Sequence, residues 1–176
     1  MVAPTPTFVT FAYGSNMLTR RIKARCLSAT PLGIARLDGH ELRWHKRSRD
    51  DSGKCDVVES ATAGAVVFGV LFRIEKAEER ALDKAEGVGR GYEKRTATVT
   101  CSGEPHSASV YFATDIEDSL KPYTWYKALV VAGAKEHCLP AAYVAHLEAA
   151  EAIKDLDGER HARNVVMVDD SAGPAQ

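Results

Sequence analysis

Residues 7–16 read Thr-Phe-Val-Thr-Phe-Ala-Tyr-Gly-Ser-Asn, and the change of pattern within this stretch predicts how the fold begins. Its first six residues are mostly β-branched or aromatic, which is typical of a buried strand. Gly14 interrupts this pattern, and residues 17–25 then carry apolar side chains near helical spacing. Asn16 suits the N-cap of such a helix, because its side-chain oxygen can accept a hydrogen bond from an unpaired backbone N–H. The stretch therefore predicts a strand, a glycine-containing loop and the start of a helix.

Most of the remaining chain is predicted to form short strands joined by turns. Residues 92–100 and 106–113 flank a turn at Ser102-Gly103-Glu104-Pro105, so they are expected to pair as a hairpin. Asp38-Gly39 is a second turn signal and predicts two short paired strands within residues 30–45. The other predicted elements are a polar loop at 46–56, strands at 57–60 and 65–74, and helices at 76–86, 122–136 and 141–153.

Strands that cluster between turns, with few helices among them, favour an α+β domain over a doubly wound sheet. Short strands can hide their exposed edges by closing into a barrel. The predicted fold class is therefore α+β, a small mixed, mostly antiparallel β-barrel with flanking helices. A chain of 176 residues fits one domain. We assign it to residues 1–160, with a C-terminal tail at 161–176 whose last six residues are expected to be disordered.

The composition argues against several classes of partner. A formal net charge of −1 does not favour nucleic acid or anionic membranes. The basic run at residues 43–49 is interpreted as a solvated strand end and loop. No apolar run approaches the roughly 18–20 residues that span a bilayer, and the N-terminus lacks signal-peptide features, so a cytoplasmic location is expected. The four cysteines and six histidines are scattered, which predicts no metal site.

Tyr13-Gly14-Ser15-Asn16 is the first candidate site, because it follows a strand and opens a helix. Backbone N–H groups at the positive end of a helix bind anions, and Gly14 would allow a ligand to approach the backbone closely. The anion could be a carboxylate or a phosphate, although the chain has neither of the common glycine-rich phosphate motifs. The alternative is a capped helix start with no ligand.

Glu86 is the second candidate, at the end of a predicted helix and just before Gly87-Val88-Gly89. The negative end of the helix dipole disfavours the charged form of a carboxylate, and desolvation acts in the same direction. A carboxyl group in such a place suits proton transfer. The alternative is an ordinary surface glutamate.

Several segments extend this pattern along the chain. They are Phe11-Ala-Tyr-Gly-Ser-Asn-Met-Leu18, Ala35-Arg-Leu37, Phe68-Gly-Val-Leu-Phe72, Leu82-Asp-Lys-Ala-Glu-Gly-Val88 with Tyr92, Tyr126-Lys127, Gly133-Ala-Lys-Glu136 and Leu139-Pro140. In this order they resemble the γ-glutamylcyclotransferase family, over about residues 8–153. A related branch that acts on glutathione carries Tyr-Gly-Ser-Leu followed by Trp. Asn16-Met17 departs from that pattern and indicates the branch that acts on γ-glutamyl-amino acids.

The resemblance implies a small mixed barrel and an enzyme of glutathione metabolism that uses no metal or cofactor. It would convert small γ-glutamyl-amino acids or γ-glutamylamines to 5-oxoproline and a free amine. The α-amine of the substrate would attack its own γ-carbonyl, with Glu86 as general acid and base, so no protein nucleophile is required. The matching substrate-binding residues are Thr10, Phe11, Ala12, Tyr13, Gly14 and Ser15, with Asn16 closing the loop and Tyr126 lining the pocket.

Three questions stay open at this level. The N–H groups of residues 13–16 could hold the substrate α-carboxylate or the developing oxyanion. The leaving group could belong to another γ-glutamyl adduct, such as a γ-glutamylamine or a biosynthetic intermediate, and the scaffold could also be a non-catalytic binding domain. Some members of the family form dimers, so a homodimer is a further expectation.

Overall fold

A computed structural model describes residues 4–169 of the chain. Its strands are β1 (Thr7–Ala12), β2 (Thr30–Asp38), β3 (His40–Arg47), β4 (Gly53–Glu59), β5 (Val66–Glu75), β6 (Tyr92–Cys101) and β7 (Glu104–Ala113). Its α-helices are α1 (Thr19–Lys23), α2 (Glu79–Glu86), α3 (Thr124–Glu136), α4 (Ala141–Ala149) and α5 (Gly158–Asp169). Two 3-10 turns precede α1 and α2, at Ser15–Met17 and Lys76–Glu78.

Five of the strands close a barrel in the order β1-β5-β2-β6-β7. Every neighbouring pair is antiparallel except β1 with β7, which is parallel and aligns Thr10 with Ser109. The hydroxyl of Thr10 donates a hydrogen bond to the carbonyl oxygen of Ser109 at 3.1 Å. The predicted α+β fold, a mixed and mostly antiparallel barrel with flanking helices, is confirmed.

The hairpin between β6 and β7 forms as predicted. Its register runs from Tyr92 opposite Ala113 to Cys101 opposite Glu104. Ser102 and Gly103 connect the strands with φ angles of 52° and 81°. Two consecutive positive φ angles match the right-handed twist of the strands they join, as in a type I′ turn.

The predicted hairpin at Asp38-Gly39 is wrong, although the chain does turn there. β2 pairs with β5 and β6, whereas β3 pairs with β4 in a separate two-stranded sheet. Gly39 donates a hydrogen bond to the carbonyl of Ala65 and accepts one from the N–H of Ser60. The turn is thus tied to distant segments, and the chain leaves the barrel instead of folding back along β2.

The predicted loop at residues 46–56 is also shorter than expected, because β3 and β4 extend into it. The two strands pair from His40 opposite Glu59 to Arg47 opposite Gly53, with an irregularity between Arg43 and Lys46. An antiparallel sheet can expose one face to solvent, so polar residues at the ends of β3 and β4 are compatible with strand structure.

The continuous helix predicted for residues 17–25 is interrupted, and Asn16 is not its N-cap. Leu18 is extended, with φ −68° and ψ 114°, and is fully buried between the 3-10 turn and α1. The first N–H of α1, from Thr19, donates to Oε2 of Glu136 at 2.8 Å. Because the end of α3 supplies this cap, the side chain of Asn16 is free for another partner.

The C-terminal boundary also differs from the expectation. α4 ends at Ala149 instead of Ile153, and the predicted domain boundary after residue 160 falls inside α5. α5 packs against α3, and its Val165, Met167 and Val168 are partly buried against the core. The last six residues lie outside the described part of the chain. No helix within the described residues combines the length and apolar character that crossing a bilayer requires.

Candidate active site

One cavity collects every site residue that the sequence predicted. It lies where β1 ends, beside the end of α2 and one side of α3. The predicted residues that line it are Thr10, Phe11, Ala12, Tyr13, Gly14, Ser15, Asn16, Glu86 and Tyr126. Residues that the sequence analysis did not assign to the site complete the wall: Ile22, Cys55, Leu82, Tyr92 and Tyr111.

Glu86 is the carboxylate of this cavity and the last residue of α2. Gly87 follows in a left-handed conformation, with φ 74°, which ends the helix and which glycine adopts without steric cost. The Glu86 side chain is 16% exposed. The end of α2 thus holds the Glu86 carboxylate at the cavity with little exposure to solvent.

Two donors converge on the same oxygen of Glu86. Oε1 accepts a hydrogen bond from Nδ2 of Asn16 at 2.6 Å and another from Nη1 of Arg25 at 2.5 Å. Nη1 of Arg25 also donates to Oδ1 of Asn16 at 2.8 Å, so the three side chains form a closed triangle. Oε2 of Glu86 has no hydrogen-bond partner among the described residues. One carboxylate oxygen is thus fixed by the protein, and the other is left for a ligand.

Arg25 is a site residue that the sequence analysis missed. A carboxylate removed from water is stable only when it is paired and hydrogen-bonded, so a cation near Glu86 is physically expected. The segment after the loop contains Arg20, Arg21 and Arg25, but the sequence does not indicate which of them reaches Glu86. The fold selects Arg25, which directly follows the C-terminal cap of α1.

Arg21 supports the loop from behind. Its Nε donates a hydrogen bond to Oγ of Ser15 at 2.9 Å. Burial, with a smaller contribution from the charge of Arg25, lowers the pKa of Arg21 to about 10. The guanidinium is therefore still charged at neutral pH, and it adds positive potential next to the loop.

The loop itself offers backbone donors. Gly14 and Ser15 accept hydrogen bonds from the N–H groups of Met17 and Leu18, which fixes the turn. Within the described chain, no acceptor is found for the N–H groups of Gly14, Ser15 and Asn16. The predicted contribution of a helix dipole is small, because the 3-10 turn has only three residues. The N–H groups remain as candidate donors to a ligand.

Gly14 leaves space that a larger residue would fill. A Cβ atom placed there would lie 3.1 Å from the hydroxyl oxygen of Tyr126 and 3.2 Å from Cβ of Cys55. These two close contacts explain why a residue with a Cβ atom does not fit at position 14.

Four tyrosines form much of the cavity wall: Tyr13, Tyr92, Tyr111 and Tyr126. Three hydroxyls donate, Tyr13 to the carbonyl of Tyr111, Tyr92 to the carbonyl of Cys55 at 2.5 Å, and Tyr111 to Oδ1 of Asp83 at 2.8 Å. The oxygen of Tyr126 accepts the N–H of Cys55 at 3.1 Å. Burial raises the pKa of all four phenols, so the wall is neutral at physiological pH.

Cys55 is the one thiol of the cavity wall within the described chain. Burial raises the pKa of this thiol to about 12. Because the thiolate is the nucleophilic form, Cys55 is not an activated nucleophile at neutral pH. Among residues 4–169, no three His, Cys, Asp or Glu side chains are arranged to hold a metal ion.

Comparison with known proteins places this site in context. A family model described as the AIG2-like family matches residues 66–147. Gamma-glutamylcyclotransferases from Bos taurus and Mus musculus are 36% and 35% identical to the chain, and each alignment covers 82% of this chain and 79% of the relative. A solved structure named gamma-glutamyl cyclotransferase superimposes with a TM-score of 0.82 at 30% identity, over 92% of this chain and 98% of that one.

Proposed function

Because the chain belongs to the γ-glutamylcyclotransferase family and is an enzyme of that type, we propose that it converts γ-glutamyl-amino acids to 5-oxoproline and the free amino acid. One observation carries the assignment of the chemistry to this cavity. Glu86 lies in it with Oε1 held by Asn16 and Arg25, and with no protein partner on Oε2 among the described residues. This is the arrangement that a positioned general acid and base requires.

The substrate supplies its own nucleophile in this reaction. Its α-nitrogen forms a bond to the γ-carbonyl carbon, a five-membered ring closes, and the bond from that carbon to the leaving nitrogen breaks. The α-ammonium gives up two protons, and the leaving amide nitrogen gains two and departs as an ammonium group. Attack within one molecule has an effective molarity of up to about 10⁵–10⁸ M in well-oriented cases, so positioning accounts for much of the acceleration.

Glu86 moves these protons in the proposed mechanism. Oε2 accepts the two protons in turn from the substrate α-nitrogen and returns each to the leaving nitrogen, while Oε1 stays bound to Asn16 and Arg25. The guanidinium of Arg25 balances the negative charge that the carboxylate carries as a base. Asn16, predicted to close the substrate loop, also orients the carboxylate here.

The loop would bind the glutamyl half of the substrate. The N–H groups of Gly14, Ser15 and Asn16 suit either the α-carboxylate or the oxyanion that develops on the γ-carbonyl oxygen. The neutral tyrosine wall would surround the aliphatic part of the glutamyl group. A site of this kind limits access of water, which strengthens the interactions of the charged groups within it.

The test is the isosteric substitution Glu86→Gln, which keeps the hydrogen-bonding shape and removes the base. We expect release of 5-oxoproline from γ-glutamyl-alanine to fall by about 10²–10⁴-fold, the usual contribution of general acid–base catalysis. Calorimetry should show that substrate still binds, and the melting temperature should change little. Glu104→Gln, which changes an exposed carboxylate at the start of β7, is the control and should retain full activity. A turnover near wild type in Glu86→Gln would exclude Glu86 from the mechanism.

We also infer a cytoplasmic location and a role in the turnover of γ-glutamyl compounds, including those of glutathione metabolism. The four cysteines support this inference because all of them are unpaired thiols. Thiols persist in reducing compartments, whereas proteins of oxidising compartments tend to form disulfides. Fractionation of cells that express the tagged full-length chain would test the location, and recovery in a secreted fraction would contradict it.

A further inference from the structure

A second cavity adjoins the active site on the other side of Glu86, and we call it the basic groove. It opens to solvent and shares Glu86 with the catalytic cavity. Five cationic side chains line it: Lys46, Arg47, Arg49, Lys84 and Arg90. Its carboxylates are Glu86, Asp51 and Asp115. The groove is therefore locally positive, although the whole chain has a formal net charge of −1.

Most of these cations form no salt bridge within the described part of the chain. Arg47 pairs with Asp115 and Glu117, with distances of 3.4 Å for each pair. Within the described residues, no salt bridge is formed by the other four: Lys46, Arg49, Lys84 and Arg90. Water can solvate the exposed members of this set, but that explanation does not serve for Lys46, which is partly buried.

Lys46 lies between the two cavities. Its Nζ atom is 4.8 Å from the ring centroid of Tyr92, and that ring belongs to the wall of the catalytic cavity. Burial lowers the pKa of Lys46, and the negative charge of Glu86 is the largest effect in the opposite direction. Partial burial of an ammonium group is costly unless the group gains an anionic partner.

The geometry of the reaction determines where such a partner would come from. Glu86 must reach the leaving nitrogen, so the leaving group has to extend past Glu86 from the catalytic cavity. Beyond Glu86 lies the basic groove. In a γ-glutamyl-amino acid, the carboxylate of the leaving amino acid is only two bonds from that nitrogen. It would be repelled by Glu86 unless nearby cations compensated the charge.

We propose that the basic groove binds the carboxylate of the leaving amino acid, with Lys46 at its inner end. This inference rests on the proposed function and names the part of the substrate that the catalytic cavity does not recognise. Substrates with a free leaving-group carboxylate are preferred over γ-glutamylamines. Cationic leaving groups such as polyamines are disfavoured, because they would meet like charges in the groove.

The experiment uses two substrates that differ in one group, γ-glutamyl-alanine and γ-glutamyl-alaninamide. Release of 5-oxoproline gives kcat/KM for both with the wild-type enzyme and with Lys46→Gln. A charge-assisted hydrogen bond is worth about tenfold or more in binding, so wild type should prefer γ-glutamyl-alanine by at least about tenfold. Lys46→Gln should lose about that factor on γ-glutamyl-alanine, mainly through KM, and less than about twofold on the amide. Lys154→Gln removes an exposed lysine that lines neither cavity and should change neither value.

The outcomes separate this inference from the proposed function. Equal kcat/KM for the two substrates in wild type would overturn the carboxylate subsite and leave the cyclotransferase chemistry standing. An equal loss on both substrates in Lys46→Gln would also overturn it, because Lys46 would then act through Glu86. Release of 5-oxoproline from neither substrate by folded wild-type protein would overturn both proposals. If Lys46→Gln does not fold, Lys84→Gln and Arg90→Gln at exposed positions provide the same comparison.

Discussion

The two sides of Glu86 are built in opposite ways. On the side of the catalytic cavity, most polar side chains are at least partly buried and are bonded to protein, as Tyr92 is to Cys55 and Arg25 is to Glu86. On the side of the basic groove, exposed cations such as Lys84 and Arg90 have no ion-pair partner in the described chain. The first arrangement fixes one geometry, and the second tolerates leaving groups of different shape. The difference suggests that chemistry depends on the cavity and selectivity on the groove.

The cavity side should respond most strongly to loss of Arg25. Arg25→Gln removes the charge and the donor that hold Oε1 of Glu86, so we expect kcat to fall by about a hundredfold with a smaller change in KM. Steady-state kinetics with γ-glutamyl-alanine and γ-glutamyl-alaninamide should show the same loss for both substrates. Arg25→Lys keeps the charge and should restore part of kcat.

Lys23→Gln is the control for this substitution, since it removes an exposed cation from the end of α1, two residues before Arg25. It should behave as wild type. An unchanged kcat in Arg25→Gln would contradict this view of the catalytic cavity, because the triangle of Asn16, Arg25 and Glu86 would then have no role in chemistry.

Gly14 should give the next largest effect. In Gly14→Val the new side chain would press on Tyr126 and Cys55, and overpacking of this kind costs about 1–3 kcal/mol. We expect KM to rise by about tenfold, with kcat less affected, because the loop that is proposed to bind the glutamyl half would be displaced. Gly158→Val, at a position with open space around it, is the matched control. An unchanged KM in Gly14→Val would show that the ligand does not approach this backbone closely.

The smallest effect should come from salt, which should weaken the basic groove more than the catalytic cavity. Exposed charges are screened over about 10 Å at 0.1 M ionic strength and about 3 Å at 1 M. Between about 0.02 M and about 0.5 M NaCl, kcat/KM for γ-glutamyl-alanine should therefore fall a few-fold, while the value for γ-glutamyl-alaninamide stays nearly constant. Parallel salt profiles for the two substrates would contradict a selective role of the groove.

Local patterns explain which parts of this molecule could be predicted from its sequence. The β6–β7 hairpin follows from a turn and its two flanking strands, and the strand at Val66–Glu75 follows from an apolar run. The cavity residues were predicted from motifs and from a family resemblance, and the fold brings all of them together.

Contacts between distant residues explain most of what the sequence did not predict. The cap of α1 comes from Glu136, 117 positions after Thr19. Asn16 contacts Glu86 across 70 positions, and Arg25 reaches the same carboxylate across 61. Asn16 has the right chemistry for an N-cap, but it lies within the 3-10 turn, and Glu136 accepts the first N–H of α1 instead. No local pattern in a single sequence indicates which distant side chain will reach a given residue.

The parallel contact between β1 and β7 has a consequence for how the enzyme holds together. That contact is the seam of the barrel, and it aligns a single residue of each strand, Thr10 with Ser109. Thr10 also lines the candidate catalytic cavity, so a γ-glutamyl group bound as proposed would lie against the seam. A ligand at a hundred times its Kd stabilises the folded state by about 2.7 kcal/mol. A ligand at this seam would therefore disfavour states in which β1 and β7 have separated. Occupied enzyme should therefore open along this line less often than empty enzyme.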